Sequence, residues 1–224
     1  MTDTPMLAQF VLYGDDNYDS HVLRFLLAEK RISYDFHFIN DRPDELAELN
    51  PYKTLPILVN REISLYELNV IFEYLEERHP AVKLLPSTPK ERAQMRLLAW
   101  RIQKDWLSLA KQLLTHPDSF DVISANNAKK SLTDTLLTLS PLFTKQTFFL
   151  SETLGWCDIL LAPMLHRLDT MQIALPKHLS RGIQEYYQNI LTRKSFQASI
   201  NPPVSHTEDL DDTHDVMDFS KFSL

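Results

Sequence analysis

The run "LNPYKTLPILVNREISLYELNVIFEYLEERHP", residues 49–80, changes its hydrophobic period twice. "LPILVN" (Leu55–Asn60) is a short apolar run with a proline near its start, and "EISLYE" (Glu62–Glu67) follows it closely. Both read as strands joined by a tight turn at Asn60–Arg61. From Leu68 to His79 the spacing becomes helical, with Val70, Ile71, Tyr74 and Leu75 on one stripe. The order is strand, strand, helix.

Upstream the pattern is strand, helix, strand. A strand at 9–13 leads into an acidic turn of Asp15, Asp16, Asn17, Tyr18 and Asp19. A helix over 20–31 follows, with Val22, Leu23, Leu26 and Leu27 as its apolar positions and Ser20 as its cap. Tyr13 reads as a packing residue at the strand end. A second strand, Tyr34–Ile39, precedes a short helical turn at Pro43–Leu49. The first half is therefore α/β, a βαβ unit followed by ββα.

Downstream the chain changes character. "PAVKLLPSTP" (Pro80–Pro89) holds three prolines and reads as a linker whose first residues, His79, Pro80, Ala81, Val82 and Lys83, are expected to be exposed. Thr88, Pro89 and Glu91 start a helix as cap, first residue and capping-box acid, and it is expected to run to His116. Further helices are expected over 125–139, from Gly155 with Asp158 three residues on, and over 176–191. The expected division is 1–84 as an α/β domain, 85–200 as an all-α domain and 201–224 as an acidic, flexible tail.

Composition narrows the chemistry. The chain of 224 residues is 44% hydrophobic, enough for a substantial core. With only 3 glycines it cannot build the Gly-rich loops that cradle phosphates. The net charge is −7, and residues 205–224 hold six carboxylates against Lys221, leaving −2 for the rest. No basic run supports direct, sequence-specific nucleic-acid binding. The single Cys157 excludes an intrachain disulfide and a Cys-cluster zinc site, and it reads as buried and inert. No metal-ligand spacing links the histidines. No apolar run suits a membrane span or signal peptide, so a cytoplasmic location is expected. Arg92, Arg96, Arg101 and Lys104 line the long helix as a solvated face or a docking surface for an acidic partner.

These residues resemble the glutathione transferase fold, a thioredoxin-like domain followed by a helical domain. "LNPYKTLPIL" is similar to that family's segment around a cis-proline, here Leu55-Pro56. Within it, "YDSHVLRFLLAEK", "IFEYLEERHP", "RIQKDW" (Arg101–Trp106) and "FFLSETLGWCDILLAP" resemble the stringent starvation protein A family of RNA polymerase-associated proteins. The resemblance implies a homodimer without cofactor or transferase activity, which regulates transcription in starvation or stress by binding RNA polymerase holoenzyme with its sigma factor. A related regulator subunit as a second partner stays open. Candidate apolar dimer positions are Met95, Leu98, Trp100 and Trp106.

Three departures bear on the site. The transferase nucleophile lies seven places before the helix arginine, here Arg24, which gives Asn17. Asn has no ionisable proton and no nucleophilic atom. The Glu/Asp-Ser pair that anchors the ligand's carboxylate reads Glu67-Leu68, so the hydroxyl is missing. The vestigial glutathione site is then Asn17, Leu55, Pro56, Glu67 and Leu68. The regulators' exposed Pro-His-Pro reads Pro80-Ala81-Val82, with His79 one position off. The partner surface expected from the resemblance is His79, Pro80, Ala81, Val82, Lys83, Arg101 and Lys104. The alternative is a glutathione transferase-type enzyme with an atypical glutathione site.

Overall fold

The computed structural model describes residues 10–39, 43–115 and 121–203. The helix end expected at His116 and the tail residues 204–224 lie outside them. Two compact units divide the described residues: those up to Pro80 together with 201–203 form the first, and Ala81–Ile200 forms the second.

In the first unit the elements are β1 (Phe10–Gly14), α1 (Tyr18–Lys30), β2 (Tyr34–Phe38), α2 (Pro43–Leu49), β3 (Ile57–Val59), β4 (Ser64–Leu65) and α3 (Leu68–Arg78). The sheet order is β2-β1-β3-β4. β1 and β2 run parallel, as a helical crossover requires, while β3 lies antiparallel to both β1 and β4. β4 is shorter than its sequence suggests because Asn60 organises the turn before it. The Asn60 side-chain oxygen accepts from the N–H groups of Glu62 and Ile63 at 2.9 Å each, so pairing resumes only at Ser64.

Val22, Leu23, Phe25, Leu26 and Leu27 on α1 are all fully buried, a continuous run that matches a helix enclosed on several sides. The helix ends on Arg31 in the left-handed region (φ 58°), whose N–H bonds back to the Ala28 carbonyl. Two expectations for this unit are corrected. Ser20 is not the cap of α1; Asn17 holds that position and Ser20 lies inside the helix, fully buried. On α3 the buried side is Leu68, Ile71, Phe72, Leu75 and Glu76, whereas Val70 is 51% exposed. Leu68, Ile71, Phe72 and Leu75 follow helical spacing and set that face, and Glu76 joins it as the 2.8 Å ion-pair partner of the buried Lys30.

The second unit holds α4 (Pro89–Ile102), a π-turn (Gln103–Leu107), α5 (Ser108–Thr115), α6 (Val122–Leu139), a 3-10 turn (Ser140–Thr144), α7 (Trp156–His166), α8 (Arg181–Leu191) and α9 (Lys194–Ile200). Thr88 caps α4 as expected: its hydroxyl accepts from the Glu91 N–H and donates to the Glu91 carboxylate. The single long helix expected from Thr88 onward is interrupted by the π-turn, which falls on the "RIQKDW" stretch. The helix expected from 176 starts at Arg181, and α9 was not anticipated. The core centres on α7, where every residue from Trp156 to Leu165 is buried. Phe143 packs against Phe149 and Tyr186 at 4.7 and 5.0 Å between ring centres. Trp106 is core, and Met95 and Leu98 are half-buried, so of the four candidate dimer positions only Trp100 (54%) is exposed; Leu97 (59%) joins it.

Candidate functional site

At the end of β1 the chain must turn close to two side chains. A Cβ on Gly14 would lie 3.0 Å from the Phe36 ring and 3.2 Å from the Ser20 hydroxyl, so glycine permits the approach. Asp15 then closes the turn upon itself. Its Oδ1 accepts from the Asn17 N–H at 3.0 Å and the Ser20 hydroxyl at 2.6 Å, and Oδ2 accepts from the Asn17 amide. Its N–H donates to Ser20 Oγ at 3.1 Å, and its carbonyl accepts from Arg24 at 2.9 Å. Arg24 is fully buried, with its guanidinium 5.9 Å from the centre of the Phe36 ring. The acids of the turn therefore divide in role. Asp16 is exposed, whereas Asp15 is half-buried and organises local donors.

The sheet register gathers the sequence-predicted residues of this unit. Tyr13 pairs with Ile57 and Leu58 with Leu65. Continued outward, the same register brings the Asp15 turn, the Leu55-Pro56 pair and Glu67 to one end of the sheet. The Leu55-Pro56 peptide is cis. Leu55 and Tyr13 pack against Ile39, Leu46, Ile57 and Val59, which gives Tyr13 a packing role at its strand end. Asn50, fully buried, holds the preceding loop through Thr54 and the Tyr52 N–H; no periodicity signals that role. Glu67 caps α3 in extended conformation, exposed; its carbonyl accepts from the Ile71 N–H at 2.8 Å and its carboxylate from the Asn69 amide at 3.3 Å. Leu68, the first helical residue, is buried and offers no hydroxyl to a ligand.

The expected partner residues are only partly exposed. Pro80, Ala81 and Lys83 are exposed, but Val82 and His79 are half-buried. His79 packs its ring on Phe10 at 5.9 Å, and its carbonyl accepts from Lys30 Nζ at 3.1 Å. Burial, Arg78 and Lys30 hold its imidazole below the usual histidine range. Nor is the rest of the linker loose. Leu84 and Leu85 are buried, and the Leu84 carbonyl accepts from the Trp156 N–H at 3.0 Å. The proline count suggested an unpacked strap; the two leucines supply apolar area that packs it. A cavity of about 390 Å³ opens beside the linker, lined by Lys83, Pro86, Gln94, Met95 and Leu150 among others.

Arg101 and Lys104 are exposed on α4 and the π-turn, with Lys104 Nζ 5.1 Å from the Trp100 ring. Cys157 is buried, and burial and the neighbouring Asp158 push its thiol far above the ordinary range, which disfavours a thiolate there. Among the described residues, no group of three His, Cys, Asp or Glu side chains suits a metal ion, and no helix is long and apolar enough to cross a membrane.

The family described as "Glutathione S-transferase, N-terminal domain" matches residues 20–78. A stringent starvation protein A homolog of Coxiella burnetii is 35% identical over 194 residues, covering 86% of this chain and 91% of the relative. One from Haemophilus influenzae is 35% identical over 189 residues, 83% of this chain and 86% of the relative. A glutathione S-transferase structure from Methylobacillus flagellatus with glutathione bound matches with a TM-score of 0.75 at 22% identity, over 85% of this chain and 98% of the other. That likeness speaks for the fold alone.

Proposed function

The chain belongs to the stringent starvation protein A family and has the glutathione transferase fold, and from that premise we propose that it is a non-enzymatic transcription regulator. It acts in the cytoplasm as a homodimer, docked on RNA polymerase holoenzyme and its sigma factor through protein contacts.

The observation that carries the reading is the occupied turn at the end of β1. A transferase needs there a side chain that stabilises or attacks a thiolate. Asn17 has no ionisable proton, and its amide is turned to the Asp15 carboxylate. At the start of α3, Leu68 supplies no hydroxyl for a ligand carboxylate. Loss of one such charge-assisted bond costs about 1.5–3 kcal/mol, or roughly 10- to 100-fold in affinity. The vestigial site is Asn17, Leu55, Pro56, Glu67 and Leu68.

Docking is assigned to the segment from His79 to Lys83 together with Arg101 and Lys104. Pro80, Ala81 and Lys83 offer exposed chain at the end of α3, and the two cations offer charge for an acidic counterpart. Calorimetric titration with glutathione, paired with a conjugation assay on a general aryl halide, tests the loss of enzymatic function. No binding at micromolar glutathione and no turnover above the uncatalysed rate are expected. Turnover typical of a transferase, abolished by Asn17→Ala, would establish the competing reading of an enzyme with an atypical site.

A further inference from the structure

His79 stands where the first unit ends, and each of its groups is engaged differently. Its N–H donates to the Leu75 carbonyl at 3.0 Å and terminates α3. Its carbonyl accepts from Lys30 Nζ, whose side chain is completely buried and paired at 2.8 Å with Glu76. Its ring lies edge-on to Phe10, which is itself 1% exposed. The ring nitrogen Nε2 is buried and finds no hydrogen-bond partner among the described residues. One residue later, Pro80 is exposed.

We propose that His79 is a proton-operated latch: neutral, it holds the end of α3 on Phe10 of β1 and Lys30 of α1, and protonated, it releases that end, His79–Pro80. The latch rests on the proposed function for its purpose, since His79 and Pro80 open the assigned docking segment.

The argument is electrostatic. The charged groups that act on the ring are Arg78 on α3 and Lys30 on α1, and β1 contributes the Phe10 ring. Glu76 is committed to Lys30. Glu62 lies 3.6 Å from Arg78, so a proton on His79 adds a cation beside two whose carboxylates are already paired, and it puts a proton on the buried Nε2, which has no acceptor among the described residues. In the released state the imidazole meets water and titrates near the ordinary value of about 6.5. The packed state binds the proton less readily, so the packed arrangement is fully favoured above that value. It loses ground as pH falls below it. Lys30 stays paired with Glu76 throughout, so α1 and α3 remain joined while His79 and Pro80 are freed.

Hydrogen exchange of the full-length chain, read by mass spectrometry at pH 7.5 and pH 5.5 with intrinsic rates corrected, tests the latch. Loss of protection at pH 5.5 is expected in the peptide covering residues 76–84, with α1 amides unchanged. His79→Phe keeps an aromatic ring against Phe10 and cannot titrate, so its protection in that peptide should be the same at both pH values. Equal protection of the unmodified chain at both pH values would overturn the latch, as would the same loss in His79→Phe. Neither readout involves polymerase, so the regulator reading stands or falls separately.

Discussion

Asp158 shows how much one carboxylate organises. It is 1% exposed and accepts at 2.8 Å from the Gly155 N–H, the Phe149 N–H and the Tyr186 hydroxyl. Burial pushes its carboxyl up to about 6, against the opposing pull of those three hydrogen bonds. The folded chain therefore keeps this proton at pH values where the unfolded chain, with an ordinary carboxyl near 4, has lost it. The stabilisation from this group is complete below about pH 4 and declines as pH rises to about 6, by roughly 3 kcal/mol at most. Asp158→Asn removes the titration and sets an amide N–H against backbone donors, which costs about 1–3 kcal/mol. Urea unfolding at stepped pH should show lower stability for the variant and a flatter profile between pH 4 and 6. The sequence revealed half of this arrangement, because a Gly cap followed three residues later by Asp is a local pattern. Phe149 and Tyr186 converge on the same carboxylate only through tertiary packing, which no local spacing encodes.

At the level of elements, α1 and α3 are joined by the Lys30–Glu76 pair, with both side chains removed from solvent. Deleting one partner strands the other charge in the interior, at a cost of about 3–5 kcal/mol. Glu76→Ala should thus lower the denaturant midpoint far more than Glu77→Ala, whose side chain is exposed. Equal small effects would show that Lys30 reaches water when its partner is removed. This pair also explains why spacing alone takes Glu76 for a surface position. A period count treats Glu76 as a surface residue, yet it is buried by a lysine 46 positions earlier in the chain. The π-turn at Gln103–Leu107 escaped notice for a related reason. Helical spacing assumes a constant period, and the inserted residue breaks it while leaving Trp106 and Leu107 both buried. By contrast, the start of α4 was fully legible, because Thr88, Pro89 and Glu91 are close neighbours that act on each other directly.

For the whole molecule, alternation of strand and helix followed by helices alone was enough to give the architecture, since each unit's pattern repeats over many residues. The candidate site was legible as a set of departures at Asn17 and Leu68. The self-closed Asp15 turn was not, because it depends on a serine and an arginine brought back by the helix. Assembly is a property of the whole chain. Light scattering at micromolar concentration is expected to give twice the 26.1 kDa chain mass; the single-chain mass would remove the homodimer from the proposal. The most direct measurement is capture of RNA polymerase by the full-length chain at neutral pH, without glutathione. Polymerase with its sigma factor should be retained in near-equal amount and lost from the Arg101→Glu, Lys104→Glu double variant at unchanged melting temperature. A chain that retains no polymerase and instead conjugates glutathione to an aryl halide would contradict the account.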